Sequence, residues 1–316
     1  MGLQIGVIGA GGMGREHAAN LTALPDVDVV VVADVVSEAA AAGAALAGAE
    51  SSTDPGSVAA RTDLDGLVIA SPDHTHAALT IAAIHAGTPT LCEKPLADNV
   101  ADAQAVVDAE NAAGKRLVQV GFMREYDAAH LQLEQTMADL GALHHLRCVH
   151  RNTNVDLKRD LALVCSQSLI HDVHTTHWLS GSEFTAVMTQ VVMTGERIEH
   201  VVVLGELANG ASVTLEFVEA NYGYDVEVEA TCAHGMVIAA QPGQPIVRSD
   251  GSAHRYIGED WFGRFRAAYQ AEAADWIDSV RHRQARGPST AQGLAAQRVI
   301  AAAITSAETG QRTAVT

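Results

Sequence analysis

The chain has 316 residues, 48% of them hydrophobic, and a formal net charge of −18. That length suits two domains better than one core. The acidic balance argues against nucleic acid or an anionic membrane as a partner, since both repel it, and favours a small neutral or cationic ligand.

Residues 3–120 alternate strand and helix signals, the pattern of a parallel sheet with helices on both faces. Leu3–Ile8 is an apolar, β-branched run. Met13–Ala23 has helical spacing and stops before Pro25. Val27–Ala33 is almost wholly Val, as a strand buried on both faces should be. An Ala-rich helix covers Ser37–Ala47. Gly66–Ala70 reads as a strand, Thr75–Ala86 as a helix ending at Gly87, Thr88–Cys92 as a strand, Val100–Ala113 as a helix ending at Gly114, and Arg116–Val120 as a strand.

After Gly121 the texture changes. A helix over Asp127–Asp139 leads into a strand at Leu143–Arg151, and a loop then carries a helix near Ile170–Leu179. Strands follow one another at Glu183–Met193, His200–Leu207, Ala211–Glu219, Val226–Cys232 and Met236–Ala240, with hairpin turns at Asn209-Gly210 and His234-Gly235. Helices at Trp261–His282 and Thr290–Thr309 close the chain. The pattern predicts an α/β protein: a Rossmann-type parallel-sheet domain over 1–121, then an α+β domain with an open antiparallel sheet over 122–316. The four cysteines (Cys92, Cys148, Cys165, Cys232) form no CxxC pair and read as free thiols. With no secretory signal ahead of Leu3 and only strand-sized apolar runs, the expected location is cytoplasmic.

Gly9-Ala10-Gly11-Gly12-Met13-Gly14 fits G-x-G-x-x-G in its required context, a strand before it and a helix after it. Gly9 allows the tight turn, Gly11 lets the backbone approach a pyrophosphate, Gly14 lets the helix pack on the sheet, and free N–H groups at the helix start hold phosphate. Asp34 lies 20 residues past Gly14, at the end of the Val-rich strand. A carboxylate there accepts from both adenosine ribose hydroxyls and repels a 2′-phosphate. Val35 and Val36 cannot pair with a phosphate, so NAD is expected over NADP.

Glu93-Lys94-Pro95 follows the strand Thr88–Cys92, which places Lys94 at the carboxyl edge of the sheet, where open α/β folds bind ligands. Gly9–Gly14, Ser71-Pro72-Asp73-His74-Thr75-His76, Glu93-Lys94-Pro95 and Val120-Gly121-Phe122-Met123-Arg124 together resemble the Gfo/Idh/MocA oxidoreductases. Ser168-Leu169-Ile170-His171-Asp172, His177-Trp178, Tyr222-Gly223-Tyr224-Asp225, Asp260-Trp261 through Tyr269, and Gly287-Pro288-Ser289-Thr290 are similar to that family's inositol-dehydrogenase branch. The resemblance spans nearly the whole chain.

It implies oxidation of a secondary hydroxyl of a cyclic polyol to a ketone. It also implies NAD contacts at Gly9, Gly11, Gly12, Met13, Gly14, Asp34, Ser71, Pro72, His76, Glu93 and Lys94, and substrate contacts at Arg124, His150, Asn152, Gln167, His171 and Tyr224. Lys94 matches the family's catalytic lysine and His171 its histidine. The place of the catalytic aspartate, four residues before the histidine, is held by Gln167, which offers a hydrogen bond without a charge.

His171 suits a general base, a common task of imidazole near neutral pH. His171, His174 and His177 recur at a spacing that can share a metal, but no HExxH pattern accompanies them, so no metal is expected. Two other readings remain open: a ketosugar or aminocyclitol dehydrogenase of the same family, and an inactive NAD-binding regulatory protein. A homotetramer is expected.

Overall fold

The structure is a computed structural model describing residues 2–153, 159–219, 223–239, 246–255 and 260–316. Tyr222 and Ala240, which the sequence reading placed in a matching segment and at a strand end, lie outside the described residues. The chain divides into two compact units, one of Met1–Phe122 with Tyr269–Gln297, the other of Met123–Ala268 with Arg298–Thr316.

The first unit holds a six-stranded sheet of β1 (Leu3–Ile8), β2 (Val27–Ala33), β3 (Glu50–Ser52), β4 (Gly66–Ile69), β5 (Thr90–Glu93) and β6 (Val118–Gly121). Every pairing is parallel and the spatial order is β3-β2-β1-β4-β5-β6. The connections are α1 (Gly12–Thr22), α2 (Ser37–Ala47), α3 (Pro55–Ala59), α4 (His76–Ala86) and α5 (Val100–Ala113). Strand order reverses between β1 and β4, which opens a crevice at the carboxyl ends of the strands. β3 and α3 escaped the sequence reading, since a three-residue strand is too short to show a period.

The core of this unit joins Ile5, Val7, Val29, Val32, Val68 and Leu91 from the sheet to Trp276, Ile277 and Val280. Each such side chain contributes about 1.5–3 kcal/mol by leaving water. Reading in chain order had given Trp276 to the second domain, but Tyr269–Gln297 belongs to the first unit. Periodicity reports only that a helix has an apolar face, not which core receives it. Gly66 accommodates this packing, because a Cβ there would stand 2.9 Å from Val280 and 3.0 Å from Trp276.

The second unit contains α6 (Ala128–Asp139), β7 (Leu143–Asn152), α7 (Leu161–Val164), α8 (Ile170–Ser180), β8 (Phe184–Thr194), β9 (Arg197–Leu207), β10 (Ser212–Glu219), β11 (Asp225–Cys232) and β12 (Gly235–Ala239). A small hairpin follows, β13 (Ile246–Ser249) with β14 (Ser252–Arg255). The helices α9 (Trp261–His282) and α10 (Thr290–Thr309) are each divided between the units, and β15 (Thr313–Ala314) adds an edge strand. The large sheet runs β12-β11-β7-β10-β9-β8-β15. Along β10, Val213, Leu215 and Phe217 are buried, and along β11, Val226, Val228 and Ala230; the residues between are half-exposed.

The expected antiparallel sheet is in fact mixed, for β7 pairs with β10 in parallel. Hairpin turns orient consecutive strands only. β7 is separated from β8 by helices, so no turn signal could reveal that it inserts between β10 and β11.

Within the first unit, a buried carboxylate fixes the return of the chain. Glu110 Oε1 accepts from the N–H groups of Leu117 (2.8 Å) and Val118 (2.7 Å), and Oε2 accepts from the Thr290 hydroxyl at 2.6 Å. Glu110→Ala removes both acceptor oxygens and so all three bonds. Each orphaned buried donor costs about 1–3 kcal/mol, so a loss of at least about 3 kcal/mol is expected. A lowered thermal midpoint, with Glu110→Gln falling less, is the measurement that checks it; an unchanged midpoint would contradict it.

Candidate active site

In the first unit the site begins at the turn after β1. Gly9 adopts φ +96°, and a Cβ there would stand 2.3 Å from the Ala70 carbonyl oxygen. A Cβ on Gly14 would lie 1.8 Å from the Gly9 oxygen. Both positions therefore exclude every other residue. At Gly11 and Gly12, by contrast, a Cβ would meet nothing within 4 Å. Those two glycines face open space, and α1 starts there with no side-chain cap and no acidic residue in its first turn. The first N–H groups of the helix are thus left for an anion.

Asp34 follows β2. Its Oδ2 accepts from the Ala10 N–H at 2.8 Å and its Oδ1 from the Val36 N–H at 2.9 Å. The carboxylate is fixed by the turn it serves and keeps lone pairs for ribose hydroxyls. Val35 and Val36 are exposed, 76% and 52%, and neither supplies a cation.

Ser71 and Pro72 leave β4; Lys94 leaves β5 and is half-buried. His76 is buried with both ring nitrogens on main-chain carbonyls, Nδ1 at 2.7 Å from Pro95 O and Nε2 at 2.8 Å from Ser71 O. The ring is occupied by the chain itself rather than offered to a nucleotide. Glu93 is likewise engaged: Oε1 lies 2.7 Å from His17 Nε2, and Oε2 accepts from the Lys94 main-chain N–H at 3.2 Å. Burial works against its ionised form, but the bond and charge of His17, then Lys94 and His76, outweigh this and lower its pKa. His17 was not singled out in the sequence, although it sits three residues past Gly14.

In the second unit, Arg124, His150 and Tyr224 gather around Asp172. Arg124 Nη1 donates to Asp172 Oδ1 at 2.5 Å, and His150 Nδ1 is 3.5 Å from Asp172 Oδ2. Arg124 is 1% exposed and Asp172 0%. Burial opposes both charges, yet each holds the other ionised, so the arginine pKa is raised and the carboxyl lowered. Burial, with Arg124 and Arg159 beside it, outweighs the Asp172 carboxylate and lowers the His150 pKa. Its ring stands edge-on to Phe217 and Tyr224, both at 5.4 Å. Burial raises the Tyr224 phenol, so it holds its proton and is not available to accept one.

His171 is buried in the first turn of α8, next to Asp172. Gln167 is exposed on a π-helical turn, Cys165–Leu169, that precedes α8. Such turns recur at functional sites; nothing in the local sequence announces this one. Asn152 is half-buried at the end of β7. His174 Nε2 lies 2.8 Å from Glu125 Oε1, and the His177 ring stands edge-on to Phe184 at 5.3 Å. Among the described residues no group of three or more His, Cys, Asp and Glu could hold a metal.

The family model described as the oxidoreductase family, NAD-binding Rossmann fold, matches residues 3–122, and that of the C-terminal alpha/beta domain matches 164–315. The chain belongs to the Gfo/Idh/MocA oxidoreductase family. It is 36% identical over 322 residues to inositol 2-dehydrogenase 3 of Saccharopolyspora erythraea, covering 98% of this chain and 95% of that one. It is 36% identical over 327 residues to inositol 2-dehydrogenase of Klebsiella pneumoniae (strain 342), covering 100% and 97%. Among solved structures, the myo-inositol dehydrogenase from Lactobacillus casei in complex with NAD(H) and myo-inositol superposes with a TM-score of 0.95 at 29% identity, covering 100% of this chain and 97% of that one.

Residues 3–122 are thus the family's NAD-binding domain, and the enzyme is an NAD-dependent oxidoreductase. The open space at Gly11 and Gly12, the uncapped start of α1 and the Asp34 carboxylate fit that cofactor. Among the described residues no helix is long and apolar enough to cross a membrane. Asp34→Ser combined with Val35→Arg should move cofactor preference from NAD toward NADP, read as the ratio of kcat/KM values. A wild-type enzyme already preferring NADP would overturn the role given to Asp34.

Proposed function

We propose that the enzyme oxidises a secondary hydroxyl of a cyclic polyol of the inositol class to a ketone. The observation that supports this most is the retention of Lys94 after β5 and His171 at the start of α8, in a chain whose relatives are inositol 2-dehydrogenases over their full lengths. Bound NAD supplies the acceptor for the hydride that leaves the substrate carbon. Lys94 donates a hydrogen bond to the hydroxyl oxygen as it gains alkoxide character, the kind of pre-set stabilisation that costs no rearrangement at the moment of reaction. His171 accepts the hydroxyl proton. Arg124, His150, Asn152 and Tyr224 shape the polyol side, with Arg124 held by Asp172 rather than free to roam. Ketone reduction uses the same groups in reverse.

Gln167 in the aspartate's place removes a charge that would favour an imidazolium at His171. His171→Ala should lower kcat/KM at least ~10²-fold on the true substrate, and Lys94→Ala by as much or more. The assay is turnover over a panel of inositols, ketosugars and aminocyclitols with NAD. Gln167→Asp should shift the lower limb of the pH–rate profile to higher pH and improve activity on myo-inositol. If it abolishes activity on the true substrate and gives none on myo-inositol, Gln167 reads a different substituent and the ketosugar or aminocyclitol reading takes over.

The oligomeric reading is a homotetramer built on the second unit's sheet. Met188 and Leu204 are direct cross-strand partners, and both are exposed, as is Val192 two pleats along from Met188. These exposed apolar side chains, with Gln190 between Met188 and Val192, mark a face that association would cover. Light scattering at micromolar concentration should give the mass of four chains; a monomer would sink it.

A further inference from the structure

His76 makes two contacts that a neutral imidazole cannot satisfy together. Both its ring nitrogens face carbonyl oxygens, at 2.7 and 2.8 Å. A carbonyl only accepts, and a neutral ring carries one N–H. The two contacts are hydrogen bonds together only when both nitrogens are protonated. The ring is 1% exposed, so no water substitutes for either partner.

The two carbonyls belong to the segments that leave adjacent strands. Ser71 comes off β4, and Pro95 follows Lys94 off β5. On the other flank of Lys94, His17 of α1 holds the Glu93 carboxylate, which in turn accepts from the Lys94 N–H. The lysine's main chain is therefore clamped on both sides, by a carboxylate before it and by the His76 ring after it.

We propose that His76 is a permanently protonated positioning residue for Lys94, a buried imidazolium that ties the Pro95 carbonyl to the Ser71 carbonyl and fixes where the lysine leaves β5. The positioning half of this rests on the reading of Lys94 as the group that bonds the reacting oxygen; the protonation half does not. The titratable groups facing the ring are Cys92 and Glu93, both on β5. Burial works against the charged ring, but the Cys92 side chain and then the Pro95 and Ser71 carbonyls outweigh it and raise its pKa to about 10. The Glu93 carboxylate gains from the same charge. A ring that stays charged through the working pH range adds no limb to the pH–rate profile. It acts as a fixed strut.

The first test is the nitrogen NMR of histidine side chains in the intact wild-type protein, with the His76 signal assigned by its loss in His76→Gln. Both ring nitrogens should carry the shift of a protonated nitrogen from pH 6 to 8. An unprotonated nitrogen in that range overturns the proposal, whether or not myo-inositol is turned over. The second test is kinetic, with NAD and myo-inositol. His76→Phe keeps the ring shape and removes both donors; it should lower kcat about 10- to 100-fold, the scale of a misplaced catalytic group, with little change in NAD affinity. His76→Gln, whose amide has two N–H bonds, should recover part of the loss. In a Lys94→Ala background His76→Phe should cost little more, because the group it positions is gone. Multiplying effects, or a His76→Phe enzyme with wild-type kcat, would refute positioning. If Lys94→Ala alone leaves turnover intact, the reading of the lysine fails instead, and the NMR result still decides the charge on the ring.

Discussion

Parallel pairing forces one edge of the first sheet to carry the nucleotide-binding turn and Lys94 together. Ala33, Ile8, Ile69, Cys92 and Val120 stand in one cross-strand line. Each strand therefore releases its chain at the same height. The residues that follow are Asp34, Gly9, Ala70-Ser71, Glu93-Lys94 and Gly121, and no loop has to travel to assemble them. Hydrogen bonds lock this edge further: Gly9 N–H to Ala33 O at 2.7 Å, and Ala70 N–H to Ile8 O at 2.8 Å. A one-residue slip of β5 would turn its side chains to the opposite face of the sheet, and Lys94 would leave the edge with the wrong orientation.

The same geometry explains why so many polar groups near that edge are buried yet engaged. A loop that must hold its shape beside a ligand cannot rely on water, which the ligand displaces. Asp34 fixes the turn through two N–H groups, Glu93 fixes the Lys94 amide, and His76 bridges two carbonyls. The second unit repeats the solution with Arg124, Asp172 and His150. An ion pair so deep contributes little net stability, since the desolvation of both charges offsets their attraction. What it does is hold one arrangement, because loss of either partner strands a buried charge.

The sequence revealed whatever local physics determines. A run such as Val27–Ala33 has few alternatives to a buried strand, and Gly9 and Gly14 occupy places no other residue fits. Lys94 was legible because it follows a strand directly. The sequence concealed what depends on distant partners. Nothing between Leu143 and Asn152 states that β7 lies parallel to β10, and nothing in the pattern of α9 assigns Trp276 to the core under β1. His17 and Asp172 looked ordinary because their partners, Glu93 and Arg124, are 76 and 48 residues away. Gln167 lies exposed on the π-turn Cys165–Leu169, and such a turn leaves no mark in composition.

A net charge of −18 opposes the binding of a dinucleotide carrying two phosphates. The conflict disappears when the range of the forces is considered. Solvent-exposed charges are screened over about 8 Å at physiological salt, so most of the acidic surface is not felt at the turn after β1. What is felt is the start of α1, worth about half a positive charge. That helix has no acidic residue in its first turn, whereas α2 and α5 carry Glu38 and Asp102 there. The Asp34 carboxylate beside that turn is tied to the Ala10 and Val36 N–H groups. Local dipoles, rather than the net charge, decide the binding of the anion.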